Sequence, residues 1–339
     1  MNEELKVGNI KAEKGEKIFG KIKVTELADG SPVEVPVAII NGIGDGPVLY
    51  TQSACHGVEI NGTEAIRRVL GELNPNKMQG ALIAIPIVNI LAARHRLGHT
   101  PETLDSLYGN MNRTWPGDPD GTLTERMSYM IFEEAVKKAD YVIDHHTGEM
   151  PTLMCWIYFY EGVKEQENLA KIYGAEYLIA EKAGTEEWKK KRFFGKLRVV
   201  CHEQLKIPAI CPELDGRDHL EEDAIQIAIR GIKNVMKHIG IIEGEPILPK
   251  KQYILSNTEL GHVKANKGGW FLPEVKVGEK VNKGDIVGKL FNILDGFKEI
   301  DLLKAPRDGI VHNINKSPVV WPGVSVARVE TILEEITNS

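Results

Sequence analysis

The 339-residue sequence contains no run of about twenty apolar residues, the length a helix needs to cross the hydrocarbon of a bilayer. Its opening, Met1-Asn-Glu-Glu-Leu-Lys, is polar and lacks the apolar core of a secretory signal. Positive charge is short as well: 42 Lys and Arg stand against 48 Asp and Glu, a formal net charge of −6. Binding to a phosphate backbone draws on clustered Lys and Arg. The single basic run here, Lys189-Lys-Lys-Arg192, is expected to be a solvated surface segment. Cysteine is sparse, and Cys55, Cys155, Cys201 and Cys211 include no C-x-x-C pair, so they read as reduced thiols rather than a disulfide frame. These absences point to a cytoplasmic protein with neither membrane nor nucleic acid as a partner.

What is present is an ordinary globular composition, 42% hydrophobic and 27% charged, on a chain long enough for two domains. Residues 20–41 alternate and break at Asp29-Gly and Asn41-Gly, as hairpin strands do. Apolar runs at 48–52, 81–89, 141–144, 153–160, 177–180 and 207–213 predict strands, the second buried on both faces. Helical spacing predicts helices over 63–73, 123–139, 165–173, 195–205 and 220–239, the last with an acidic opening suited to the helix dipole. Strands alternating with helices make residues 1–245 an α/β domain. After the linker-like Gly244-Glu-Pro-Ile-Leu-Pro, residues 246–339 read as a smaller all-β unit. The polar stretch from Asn89 to Gly121 is over thirty residues of little periodicity, a length that compact domains rarely carry without functional cause.

Chemistry concentrates at strand ends. His56 and Glu59 lie i, i+3 on a turn after strand 48–52, placed to offer an imidazole and a carboxylate to one point beyond the sheet. Zinc accepts both donors, and a catalytic site takes three protein ligands and keeps a fourth position open. The third should come from another strand end, and Asp144-His-His146-Thr-Gly148 fits. Asn89 with Asn112-Arg113 and Pro212-Glu213-Leu-Asp-Gly also follow strands, and α/β sheets bind ligands outside those carboxyl ends. Cys55 reads as a small buried residue, with thiol catalysis a remote alternative.

Together these segments resemble the succinylglutamate desuccinylase/aspartoacylase family of zinc carboxypeptidase A-like enzymes. Ala54-Cys-His56-Gly-Val-Glu59 is similar to the family's His-Gly-(Asn/Asp)-Glu, with Val58 in the polar place. Asp144-His145-His146-Thr is similar to Asp-Leu-His-Thr, and Asn110-Met-Asn112-Arg113-Thr-Trp-Pro-Gly to Asp-Leu-Asn-Arg-x-Phe-Pro-Gly, with Asn110 where the family has Asp. Pro212-Glu213-Leu-Asp-Gly looks like the segment that carries the catalytic Glu. Val277-Gly-Glu-Lys-Val-Asn-Lys-Gly-Asp and Ala305-Pro-Arg-Asp-Gly-Ile-Val resemble biotinyl/lipoyl-type barrel sandwich motifs. Lys298 lacks a carrier lysine's flanks, so a cap that shapes the pocket is expected.

The resemblance implies one zinc per subunit on His56, Glu59 and His146, with Glu213 as general base. It implies carbonyl polarisation by Arg96 or Arg94, with Arg96 preferred, and a substrate carboxylate held by Asn112 and Arg113, where a guanidinium can form two parallel hydrogen bonds. Strand alternation turns His145 away from His146, and Asp144 is placed to orient an imidazole. The implied activity is hydrolysis of an amide in a small N-acylated amino acid or amine. A metallocarboxypeptidase and a non-catalytic binding module on the same fold are the alternatives, and assembly of several copies is compatible with each.

Overall fold

The computed structural model describes residues 3–148, 151–181, 195–257 and 259–338, so the basic run at 189–192 lies outside the described residues. Strands β1 (Glu4–Val7) and β2 (Ile10–Glu13) form a small hairpin, and β3 (Glu16–Glu26) and β4 (Pro32–Asn41) a long one. Next come β5 (Gly44–Gln52), helix α1 (Asn61–Glu72), β6 (Gln79–Ile85), α2 (Ile90–His95) and α3 (Leu123–Glu134). β7 (Tyr141–Asp144), β8 (His146–Thr147), β9 (Cys155–Tyr160), α4 (Lys164–Tyr173) and β10 (Tyr177–Glu181) follow. α5 (Leu197–Val200) runs on into the wider turn Cys201–Leu205, and β11 (Ala209–Leu214) and α6 (Glu222–His238) complete the α/β part.

One large mixed sheet carries the architecture, with β5, β6, β7 and β11 parallel at its centre and the β3–β4 hairpin antiparallel at one edge. Its strands are apolar on both faces because both are covered. On one side α1, α4 and α6 bury Ala65, Ile66, Leu169, Ala228 and Ile232 against Leu49, Leu82 and Ile143; on the other, Met127, Ile131 and Val200 pack on Val37, Tyr50 and Ile83. α3 starts on a capping box of Thr122 and Glu125, and α6 has Glu222 and Asp223 in its first turn and Lys237 and His238 in its last, which suits the dipole. No helix among the described residues is long and apolar enough to cross a membrane.

β12 (Lys251–Leu255) then joins β10 in parallel. Beyond it, β13 (His262–Lys264), β14 (Gly269–Pro273), β15 (Lys280–Val281), β16 (Ile286–Asn292), β17 (Lys298–Lys304), β18 (Gly309–Ile314), β19 (Val319–Val320) and β20 (Ser325–Glu330) form two antiparallel four-stranded sheets, ordered β13-β20-β18-β15 and β17-β16-β14-β19. The last strand, β21 (Ile332–Thr337), returns to pair with β12. The division at 245/246 stands as a proposal about the covalent chain; in hydrogen bonding the large sheet takes in two strands from beyond it. The stretch after Asn89 also holds more order than expected: α2 is capped by the Asn89 side chain, which accepts from the Ala92 amide, and a 3-10 turn spans Met111–Arg113.

Candidate metal centre

β5 ends at Gln52, and residues 53–60 turn sharply before α1. Ala54 has φ of 54°, the left-handed region that side chains with a Cβ seldom occupy, and the Glu59 amide closes the turn on the His56 carbonyl at 2.9 Å. Gly57 is required by space: a Cβ there would lie 2.2 Å from the Ala93 amide nitrogen at the start of α2's last turn. Asn61 ties this turn to the segment after β11, donating to the carbonyls of Asp215 (2.6 Å) and Gly216 (3.0 Å). Val58, in the place of a polar residue, is buried, and its carbonyl accepts from the Asp218 amide.

The turn brings His56 and Glu59 to His146. Glu59 is central: its Oε1 lies 2.7 Å from His56 Nδ1 and its Oε2 lies 2.9 Å from His146 Nδ1. Ligand atoms of the three residues all fall within 4.8 Å of one another and could hold a metal ion, and two imidazoles with one carboxylate suit zinc. The outer nitrogens have their own partners. His56 Nε2 donates to Asn110 Oδ1 at 3.2 Å, and His146 Nε2 donates to Asp144 Oδ2 at 3.2 Å. Bonds of this kind fix ring orientation and tautomer, leaving Nδ1 to the ion.

Behind Asp144 the chain of contacts continues into the sheet. Gln52 and Asp144 are register partners across β5 and β7; Gln52 Nε2 donates to Asp144 Oδ1 at 2.8 Å, and the Tyr50 hydroxyl donates to Gln52 Oε1 at 2.8 Å. All three are buried. His145 faces the other way, with Nδ1 3.1 Å from the Gln52 carbonyl and Nε2 3.1 Å from the Tyr173 hydroxyl.

Electrostatics follow from these contacts. Burial alone would raise the Glu59 carboxyl, but His146 and His56 hold it down at about 2. Burial would lower His146, yet Asp144 and Glu59 on either side raise it well above the usual imidazole range. Glu213 is the register partner of His146 across β11 and β8, so both side chains rise on one side of the sheet. Burial first, and the Glu59 charge after it, push the Glu213 carboxyl up, against His146 and Lys196, which pull it down. Burial also drives the Cys55 thiol well above its ordinary range, which removes it as a nucleophile near neutral pH.

Around the opening, Asn112 is half-buried and Arg113 exposed, with Arg113 Nη1 donating to the Asn112 carbonyl at 2.6 Å. Arg94 and Arg96 are both exposed beside His95 at the end of α2, and neither side chain meets a partner among the described residues. The geometry brings together His56, Glu59, His146 and Glu213; it does not bring Arg94 or Arg96 into contact with them. Two neighbours went unread in the sequence: Gln52, which holds Asp144 behind His146, and His99 in the loop after α2, whose ring lies 5.5 Å from that of His56. Asn110, read there only as a departure from the family's Asp, is a hydrogen-bond partner of His56. Gln52 left one signal, a polar side chain ending an apolar strand.

Similar proteins have this fold along nearly its whole length. The chain is 26% identical over 314 residues to N-alpha-acetyl-L-2,4-diaminobutyric acid deacetylase of Halomonas elongata, covering 90% of this chain and 87% of that protein. The crystal structure of a succinylglutamate desuccinylase/aspartoacylase from Rhodobacter sphaeroides superposes with a TM-score of 0.79 at 25% identity, over 93% of this chain and 96% of the other. The product-bound ectoine utilization protein EutE (DoeB) of Ruegeria pomeroyi has the same fold, with a TM-score of 0.81 at 23% identity over 98% and 99%. The succinylglutamate desuccinylase/aspartoacylase catalytic domain model matches residues 45–239, more than half of the 339, and the chain therefore belongs to that family.

Proposed function

We propose that the protein is a zinc-dependent deacylase that hydrolyses the amide of a small N-acylated amino acid. The observation that carries this reading is the meeting of His56, Glu59 and His146 around one point, with Glu213 rising beside His146. His56, Glu59 and His146 would hold one zinc per subunit, which when bound lowers the pKa of a water and acts as a Lewis acid toward a carbonyl.

Glu213, its carboxyl pushed up by burial, takes the proton of the attacking water and delivers it to the amine nitrogen as the C–N bond breaks, releasing a carboxylic acid and a free amine. Asn112 and Arg113 bind the substrate carboxylate, the guanidinium supplying a paired donor geometry. To Arg96, with Arg94 as its nearest substitute, we assign the part of steadying the carbonyl oxygen as charge develops there. Asn110 and Asp144 keep the two imidazoles aligned. The similarity to a diaminobutyric acid deacetylase supports an N-acetylated amino acid as the substrate class. We read the two antiparallel sheets as a barrel-sandwich cap over the catalytic unit, and the four free cysteines as fitting a reducing, cytoplasmic setting.

A panel of N-acetyl and N-succinyl amino acids and short peptides, assayed with zinc-loaded and chelator-treated protein, tests the reading. Zinc-dependent release of an acyl acid from the amino acid derivatives is expected. Cleavage confined to peptides would move the assignment to a carboxypeptidase, and turnover untouched by chelation would remove the metal.

A further inference from the structure

Hydrogen bonds do little to hold Glu213. Among the described residues its carboxylate meets one polar partner, the Cys211 thiol, 3.8 Å from Oε1, and a thiol is a weak donor. A general base has to stay within hydrogen-bond reach of the proton it takes. Its placement therefore falls to the packing around the strand that carries it.

β11 lies between β8 and β9, and one row of register partners crosses the three strands: His146, Glu213 and Trp156. Opposed residues of an antiparallel pair point to the same side of the sheet with Cβ atoms about 4.5–5.5 Å apart, so Trp156 flanks Glu213 on the side away from His146. The row runs on through Tyr177 of β10 to Tyr253 of β12, whose rings stack at 5.9 Å. The indole also covers the residue that follows β8: a Cβ on Gly148 would come 2.7 Å from Cη2 of Trp156, so only glycine fits beneath it.

A further contact comes from the β13-β20-β18-β15 sheet. His312 of β18, buried like Trp156, sets its ring edge-on to the indole at 4.7 Å. Its carbonyl accepts from the Leu153 amide at 3.0 Å and from Thr152 Oγ1 at 3.2 Å, and the Ile314 amide donates to the Pro151 carbonyl at 3.1 Å. β18 thus grips residues 151–153, which lead into β9, and backs the indole at the same time. Cys155 and Ile157, the neighbours of Trp156 in sequence, turn into the helix-covered core, which fixes β9 from its other face.

We propose that Trp156 is a positioning residue for Glu213, a wedge held by His312 that keeps the carboxylate turned toward the metal centre. The inference rests on the reading of Glu213 as the general base of a deacylase. Removing the indole opens space beside Glu213 on the side away from His146, and no strong hydrogen bond keeps the carboxylate from swinging into it. A tryptophan that only filled the core would change stability and leave turnover alone.

Steady-state kinetics of the zinc-loaded full-length protein on an N-acetyl amino acid, with zinc content and melting temperature measured on the same samples, decide the matter. Trp156→Ala should lower kcat about 100-fold, the effect of displacing a reacting group by about 1 Å, while KM and zinc content hold. Trp156→Phe, which keeps an aromatic edge against His312, should recover most of that loss. His312→Ala should lower kcat in the same sense, and the double variant should lose no more than Trp156→Ala alone, because the two residues act through one contact. A wild type that cleaves no amide removes the deacylase reading and the proposal with it. Three results overturn the wedge alone: Trp156→Ala melting lower with kcat intact, KM rising while kcat holds, or losses from Trp156 and His312 that multiply. Should Trp156→Ala fail to fold, Trp156→Leu must show the fall in kcat or the proposal fails.

Discussion

Gln52→Leu probes the least obvious part of the site, because Gln52 touches neither a proposed ligand nor substrate. It supplies a 2.8 Å hydrogen bond to Asp144 Oδ1 and accepts the Tyr50 hydroxyl at 2.8 Å, all within the buried sheet. A hydrogen bond to a charged group contributes about 1.5–3 kcal/mol, and a buried hydroxyl left without an acceptor costs about 1–3 kcal/mol. Leucine keeps most of the volume but returns neither contact, so the folded metal-free protein should lose roughly 3 kcal/mol or more. Asp144 would then swing more freely, His146 with it, and loss of such support weakens metal binding about 10–100-fold. Competition with a coloured chelator measures that affinity, and denaturant unfolding of the metal-free form measures stability. Tyr50→Phe removes only the outer donor and should cost about 1 kcal/mol, with metal affinity nearly unchanged. If Gln52→Leu binds zinc as tightly as wild type while Asp144→Asn weakens it tenfold, the amide does not orient the ligand and the reasoning fails.

Glu213→Gln should retain one metal per chain by elemental analysis yet lower kcat roughly 100- to 10,000-fold, the usual share of a positioned general base. In the wild type, the raised Glu213 carboxyl must be deprotonated to act, so activity should climb with pH along an acid limb lying above the ordinary carboxylate range. Arg113→Ala should raise KM more than it lowers kcat, with Arg113→Lys restoring only part of the loss because lysine lacks the forked donors; equal KM values in all three would place the carboxylate elsewhere. His312 is buried and held down to about 3, so the unfolded chain takes up its proton near pH 6.5 and the native protein does not. Its contribution is complete above pH 6.5 and is lost as pH falls toward 3, at about 1.4 kcal/mol per pH unit. His312→Gln should flatten the stability profile by that slope in that window, and an unchanged slope would assign the titration to other groups.

Periodicity reported local structure well and pairing poorly. The apolar runs at 48–52 and 81–89 and the helical spacing of Ala65, Ile66, Val69 and Leu70 correspond to β5, β6 and α1, because burial on a strand or helix face leaves a local imprint. Nothing local announces that Lys251 pairs with Thr337, which is how the large sheet gains β12 and β21. α2 escaped notice because Ile90-Leu-Ala-Ala continues an apolar strand run, and only the Asn89 cap marks the change. The site divides in the same way. His56, Glu59, His146 and Glu213 stand out as polar groups at strand ends, whereas the part played by Gln52 depends on its register against Asp144, and that of His99 on the path of a loop.

X-ray absorption at the zinc edge, combined with anomalous diffraction from zinc-loaded crystals, tests the central claim most directly. One zinc per chain is predicted, with Nδ1 of His56 and of His146 at about 2.0–2.1 Å and a Glu59 oxygen at about 2.0–2.2 Å. An ion bound through a cysteine sulfur, or one that leaves either His56 or His146 outside its coordination shell, would contradict the account.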